Sequence, residues 1–436
     1  MTTENAKAIV LCKWHPTLLT ELLALTPEVY VVLDDFDVDH MDPDPELLGR
    51  ARQVYRVSSF DSIEEIAAVA IDLSLYRPRI DRIVSHTEFS QFGAGYLQLL
   101  LDGDGDARKH TAYRDKRLMK ERVRAAGVPT TRFSSLAGPD DHAGAERAAA
   151  ELRFPVVVKP VSGFGTMSTV RVDRPEDLEK ILAEFRFETY LRSKQLMVEE
   201  FVPGDEICVD AFWAGGRAVS FLVHAYREPR IAVTAEARRD DNGLDGARVI
   251  NEADEPELYR RMRALHDGIN RGLGIEHGAT HLEVFVRPDG EIVFSEIATR
   301  VGGGMMPPML SAYLGRDIWA DFARVVVTDE TPPAAPRRPH IGAIHLTASR
   351  PGVITSMPDE AELAAHPGVL EYLKFREPGS RVALAHPSEW CLILVIGADT
   401  AEAYEEVRHD LVTRFRVETA AEDGETAGSD EEKPRD

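Results

Sequence analysis

The chain has 436 residues, enough for two or three packed lobes rather than one core. A hydrophobic fraction of 44% and a charged fraction of 29% are those of a globular protein in water. The formal net charge of −23 excludes nucleic acid as the expected partner, because binding to backbone phosphates needs a basic surface.

Cys12, Cys208 and Cys391 are widely spaced, which predicts buried free thiols rather than a disulfide or metal cluster. MTTENAK leads into a strand without the apolar region of a signal peptide, and no apolar run approaches a membrane span. The expectation is a cytoplasmic protein with no membrane partner.

The first elements alternate. Ala8–Cys12 is a short apolar strand, Thr17–Leu25 is helix-like, and Val29–Leu33 is a second strand ending in Asp34-Asp35. A helix over Ser62–Leu75 leads to a strand over Asp81–Val84. This β-α-β order predicts a small parallel sheet with flanking helices. KWHPT follows the first strand where a dinucleotide fold would carry G-x-G-x-x-G, so nicotinamide and flavin are set aside.

From Arg114 the texture changes. Lys116 opens an amphipathic helix, Asp115–Ala126, which Gly127-Val128-Pro129 ends. A lysine beside a helix N-terminus suits an anion. Arg153–Val172 reads as two strands with a glycine-rich connection, the first of them ending in Lys159. In that connection Ser162, Gly163, Gly165 and Thr166 are small enough for backbone N–H groups to approach phosphate, although no Walker A Gly-Lys-Ser/Thr follows. MVEEFVPGDEICVD, residues 197–210, brings Glu199, Phe201 and Val202 to a Pro203-Gly204 turn. Such a hinge can read adenine, and Glu206 beyond it can accept from ribose hydroxyls.

Ile231–Ala247 is charged and turn-rich, with Arg227, Arg230, Arg238 and Arg239 in or beside it, and a long helix runs over Glu255–Leu273. His281–Gly304 then reads as two strands joined at Pro288-Asp289-Gly290, with one carboxylate on each, Glu283 and Glu296. Adjacent carboxylates repel unless a cation lies between them, and Mg²⁺ with nucleotide phosphates is the usual one. Arg300 and Gly302, Gly303 and Gly304 follow. Pro332–Pro339 reads as a boundary before the strands Ile341–Thr347 and Cys391–Ile396 and the helix Ala401–Phe415. Taken singly, these segments also fit a glycine hairpin, a solvated lysine or an exposed acidic turn; their order is much more specific.

That order resembles the ATP-grasp superfamily over roughly Arg114–Val327. The resemblance implies an α/β and α+β fold: an N-terminal β-α-β lobe, two ATP-clamping α+β subdomains and a small C-terminal α+β lobe. The corresponding domains are 1–112, 113–330 and 331–420, with an acidic disordered tail at 421–436. It further implies that Lys116 and Lys159 meet ATP phosphates under the 162–166 loop, that Glu199–Val202 and Glu206 hold adenine and ribose, and that Glu283 and Glu296 bind Mg²⁺ or Mn²⁺. Arg300 would meet the transferred phosphoryl group. One position departs from the family: its Glu-x-Asn metal motif is Glu296-Ile297-Ala298 here, and alanine cannot coordinate.

The closest branch by resemblance is that of L-amino-acid and carnosine-type ligases, through Arg300-Val301-Gly302-Gly303. It implies a carboxylate–amine ligase that uses ATP, forms an acyl phosphate and joins amino acids, with Glu88 and the glycines near substrate. A homodimer is the prior for the assembly. The alternatives are activation of bicarbonate or formate at the same ATP site, and a nucleotide-binding module without catalysis.

Overall fold

Ile9–Cys12 and Val29–Asp34 are buried along their whole length, as strands covered on both faces must be. With Gln53–Val57 and Arg82–Ser85 they form a parallel sheet in the order third, second, first, fourth. Ile63–Tyr76 and Gln91–Asp102 cover one face, and Pro16–Leu25 covers the other. The β-α-β alternation thus folds as its sequence predicts. The computed structural model describes residues 6–76, 79–103, 105–188, 191–233, 245–384 and 389–420.

A second, antiparallel sheet runs Phe133–Leu136, Leu196–Glu200, Val156–Pro160, Val170–Val172. Helices His142–Glu151 and Leu178–Ala183 close it into a small subdomain. The largest sheet has eight strands: Ile292–Ala298, Gly278–Val286, Asp205–Ala214, Arg217–Tyr226, Gly246–Val249, His340–Leu346, Leu392–Ala398 and Val369–Lys374. Lys116–Ala125 and Pro256–Leu273 pack on one side of it. Met306–Leu314 and Ile318–Thr328 pack on the other, where their core merges with that of the N-terminal sheet.

The large sheet continues across the proline-rich segment. Gly246–Val249 pairs with His340–Leu346, which pairs with Leu392–Ala398. Three strands of the expected C-terminal lobe, with Val369–Lys374 at the edge, therefore extend this sheet under the helix Ala401–Arg414. Gly352–Ser356, Arg381–Val382 and Glu418–Ala420 form a separate three-stranded sheet. All three cysteines are buried and free. Among the described residues no helix is long and apolar enough to cross a membrane. The expected acidic tail lies outside the described residues.

Candidate active site

Asp115 caps the helix Lys116–Ala125, accepting from the amides of Arg117 at 3.0 Å and Leu118 at 3.4 Å. Met119 and Val123 of this helix are core residues, and Lys116 and Lys120 share the buried face with them. Four-residue spacing aims both amines at the large sheet. Lys116 Nζ lies 3.2 Å from Glu296 Oε2 and donates to the carbonyl of Gly163. Lys120, wholly buried, donates to the carbonyl of Ser295 at 2.8 Å and pairs with Glu199 Oε2 at 3.0 Å. Lys159 takes the other oxygen of Glu199 and stands 3.8 Å from Glu296.

Glu283 and Glu296 face each other directly in the hairpin register. The neighbouring His281 brings its Nε2 to 3.4 Å from Glu283. Glu283 is therefore compensated by a histidine, while three ammonium groups face Glu199 and Glu296. Three amines converge on one cleft, an arrangement that suits a polyphosphate. Burial pulls Lys120 down to about 8 despite Glu199. Burial also lowers Lys159, but Glu199 and Glu296 outweigh it and hold that amine above its ordinary value. Burial raises Glu199, yet Lys120 and Lys159 prevail and bring it to about 2.

The cleft enclosed by these groups measures about 120 Å³. Gly163, Gly165 and Thr166 line it, as do Phe201, Val202 and Glu206. Glu206 accepts the Arg230 amide at 2.7 Å, and burial together with Glu283 pushes its carboxyl well up. Arg171 lies over the Phe201 ring, 4.4 Å from its centroid. In the loop, Gly165, Thr166 and Ser168 have φ of 60°, 62° and 53°. Two non-glycine residues in the left-handed region mark a strained loop, as functional loops often are.

Glu88 joins the cleft to the N-terminal sheet. It pairs with Arg114, and its Oε1 accepts from Arg300 Nε at 2.9 Å. Arg114 also donates to the carbonyl of Ser162 at 2.6 Å. Burial would raise the Glu88 carboxyl, but Arg114, Arg300 and Lys116 hold it at about 2. In this structure Glu88 thus anchors two guanidinium groups. Ser162 and Glu88 line a second, larger cavity beside the cleft, rather than the cleft itself.

Behind the hairpin lies a buried polar network. Asp210 Oδ2 accepts from His224 Nε2 at 2.8 Å and from His281 Nδ1 at 2.9 Å, while its Oδ1 accepts the Gly302 amide at 2.8 Å. Asp210 and Glu283 outweigh burial and raise His281 to about 10, so it is an imidazolium bridging the two carboxylates. The Gly302 N–H is spent on Asp210. A Cβ at Gly302 would meet His281 Nδ1 at 2.8 Å, and one at Gly304, with φ +61°, would meet Trp390 at 2.7 Å. Both glycines serve close packing beneath the site; Gly303 has open space, with Arg300 3.8 Å away.

The structure thus gathers Lys116, Lys159, Glu199, Glu206, Glu283 and Glu296 into one cleft, with Arg300 tied to it through Glu88. The sequence reading did not assign Lys120, Arg114, Asp210 or His281. Lys120 carried a signal, a second lysine on the buried stripe of its helix. Arg238 and Arg239 lie outside the described residues.

This arrangement defines a class. Residues 152–308 match the family model of the ATP-grasp domain, and the chain carries that domain on an ATP-grasp fold. Its relatives are amino acid ligases. It is 24% identical to the L-arginine-specific L-amino acid ligase of Bacillus subtilis over 64% of this chain and 65% of that protein. It is 30% identical to D-alanine--D-alanine ligase A of Chromobacterium violaceum over 43% of this chain and 50% of that protein. The chain spans less than two thirds of either relative. The crystal structure of L-amino acid ligase from Bacillus licheniformis superposes with a TM-score of 0.72, at 17% identity, over 95% of this chain and 99% of that one.

Proposed function

We propose that this chain is an ATP-dependent carboxylate–amine ligase that joins amino acids through an acyl phosphate, releasing ADP and phosphate. The observation that carries the reading is the Glu283–Glu296 pair set face to face against Lys116, Lys120 and Lys159. Relatedness to amino acid ligases supports the substrate class.

The donor set fits the metal and nucleotide expected there. Two carboxylates on adjacent strands offer the oxygen donors that Mg²⁺ or Mn²⁺ takes, and the cation would offset phosphate charge. Ala298 offers no donor, so Glu283 and Glu296 would hold the metal without a third ligand from that position.

In the first step a substrate carboxylate oxygen forms a bond to the γ-phosphorus, and the bond from that phosphorus to the ADP oxygen breaks. Two anions approach each other, so the work of the chain is to supply positive charge. Lys116 and Lys159 would bear on the phosphates, and Arg300 on the group in flight. In the second step the amine nitrogen bonds to the acyl carbon, phosphate leaves with the C–O bonding pair, and the nitrogen gives its proton to solvent. No nucleophilic side chain is required.

Pockets for drug-sized ligands measure roughly 300–1,000 Å³, so a cleft of about 120 Å³ must open to admit a nucleotide. The 161–167 loop is the element to move, since Gly163 and Ser162 hold it down through Lys116 and Arg114. Phosphate competing for those cations would release it and let it close again over the nucleotide, excluding water from the acyl phosphate.

The test is ADP and phosphate release from Mg²⁺–ATP across amino acids supplied singly and in pairs, with bicarbonate and formate alongside. ADP release that requires an acid and an amine together, with a product lighter than their sum by one water, establishes the ligase. Stimulation by bicarbonate or formate alone replaces it with one-carbon activation. ATP binding without ADP under every pair leaves a nucleotide-binding module.

A further inference from the structure

A cavity of about 850 Å³ lies between the N-terminal sheet and the small subdomain. Residues at or just past the carboxyl ends of all four parallel strands border it, among them Lys13, Asp34, Ser58 and His86. The sheet order places its switch point between Ile9–Cys12 and Arg82–Ser85, where open α/β sheets bind ligands. Lys13, at that edge, has φ 76°, a strained conformation of the kind kept at functional sites. Pro160 and Phe164 line both this cavity and the lysine-lined cleft, and Glu88 lines the cavity while holding Arg300.

The wall of the cavity is aromatic, and among the described residues every lysine and arginine that lines it is held by a carboxylate. Trp14, Phe36, Phe89, Phe92 and Phe164 line it. Phe36, Phe89 and Phe92 are 56%, 50% and 38% exposed, an unusual amount of ring surface to leave to water. Lys13 is taken by Asp34 at 2.5 Å and Asp37 at 3.0 Å, Arg117 by Asp115 at 2.6 Å, and Arg192 by Asp61 at 3.6 Å. Arg114 and Glu88 pair with each other. Burial lowers His15 to about 4 and His86 to about 3, so both are neutral near pH 7.

Resting on the ligase reading for its orientation, we propose that this cavity seats the uncharged, bulky side chain of one amino acid substrate, aromatic by preference, with its reacting end toward Glu88 and Arg300. A volume of about 850 Å³ is far more than an alanine needs, and aromatic rings gain most from covering the exposed phenylalanines. An anionic side chain would have to break an existing ion pair to find a cation.

The experiment uses the full chain and the ladder L-alanine, L-leucine, L-phenylalanine, L-tryptophan, L-arginine and L-glutamate. Binding is measured by calorimetry with Mg²⁺–ADP present, and ADP release with each member in pairs. Phenylalanine and tryptophan are expected to exceed alanine by roughly tenfold or more in affinity, from the apolar surface they bury. Arginine and glutamate should fall at or below alanine. Phe36→Ala and Phe92→Leu should each flatten the ladder while thermal melting stays cooperative. A ladder in binding without ADP release supports the cavity assignment and removes the ligase reading. ADP release with a flat ladder, or with preference for a charged side chain, overturns the assignment and leaves the ligase. Absence of binding by every member overturns the assignment.

Discussion

The two cavities that share Pro160 and Phe164 differ in size and in the chemistry of their walls. The cleft is small and densely charged, with Lys116, Lys120 and Lys159 set against Glu199, Glu283 and Glu296. Its neighbour is about seven times larger by volume, 850 against 120 Å³, and its wall is aromatic, with each of its lysines and arginines held by a carboxylate. Converging amines suit the transfer of a charged group, and an aromatic wall suits the recognition of an apolar body. On the proposed reading one chain would separate chemistry from selection, with Glu88 and its two arginines as the partition.

The sharpest way to break this contrast is to remove charge from the cleft. Glu296→Gln keeps the shape but deletes one carboxylate of the facing pair. Loss of a preorganised charge of this kind costs about 3–4 kcal/mol, so kcat should fall by roughly 10²–10³. Steady-state ADP release under saturating Mg²⁺ checks it, and near-normal turnover at limiting Mg²⁺ would remove Glu296 from metal binding.

The partition comes next. The Glu88 carboxyl sits at about 2, below its ordinary 4.5, because Arg114, Arg300 and Lys116 overcome its burial. A depressed carboxylate stabilises the fold fully above pH 4.5, and the contribution is lost as pH falls toward 2. The difference corresponds to about 3 kcal/mol at neutral pH. Glu88→Gln should lose stability of that order at pH 7, since it leaves two buried guanidinium groups unpaired. Between pH 5 and 3 its stability should fall less steeply than that of the parent. Urea titrations across that range decide the matter, and parallel curves would mean that Glu88 is not held down.

A smaller effect is expected behind the cleft. Asp210→Asn cannot accept from His224, His281 and Gly302 at once, because one carboxylate oxygen becomes a donor. His281 then loses the partner that keeps it charged against Glu283. Partners of this kind behind a metal ligand are typically worth about 10–100-fold in metal affinity or activity. The Mg²⁺ half-saturation of ADP release should rise by that order; an unchanged half-saturation in a folded variant would make the network purely structural.

These networks also show why some of the site was legible and some was not. Lys159 was readable because a lysine ending a valine-rich strand has to find a charge. The Glu283–Glu296 pairing was readable because a tight turn fixes the register of its hairpin. Asp210 and His281 are 71 residues apart and meet only because Asp205–Ala214 and Gly278–Val286 are neighbours in the large sheet. No local pattern encodes that pairing. Lys120 was hidden differently, since in sequence it is one more charge on a basic helix, and its burial follows from Glu199 across the cleft. In the fold, the helix Met306–Leu314 begins in a glycine and proline run that reads as loop, yet Met306, Met309 and Leu310 fill the core between two sheets. The aromatic cavity was least legible of all, its walls being gathered from separate strand ends.

The smallest effect tests the departure at Ala298, the residue across from His281 in the hairpin. Glu296 and Glu283 face each other without an oxygen donor at 298, so on the proposed reading the two carboxylates would hold the metal, with solvent or phosphate oxygens completing it. Ala298→Asn would add a neutral amide oxygen to a site whose charge is unchanged. The gain should therefore be modest, a few-fold fall in the Mg²⁺ half-saturation of ADP release, within the roughly 1 kcal/mol of one added polar contact. The same substitution should leave the amino acid ladder of the aromatic cavity unaltered, because Ala298 does not line it. A shifted ladder with an unshifted Mg²⁺ titration would reverse both assignments, putting position 298 on the side of selection and not of charge.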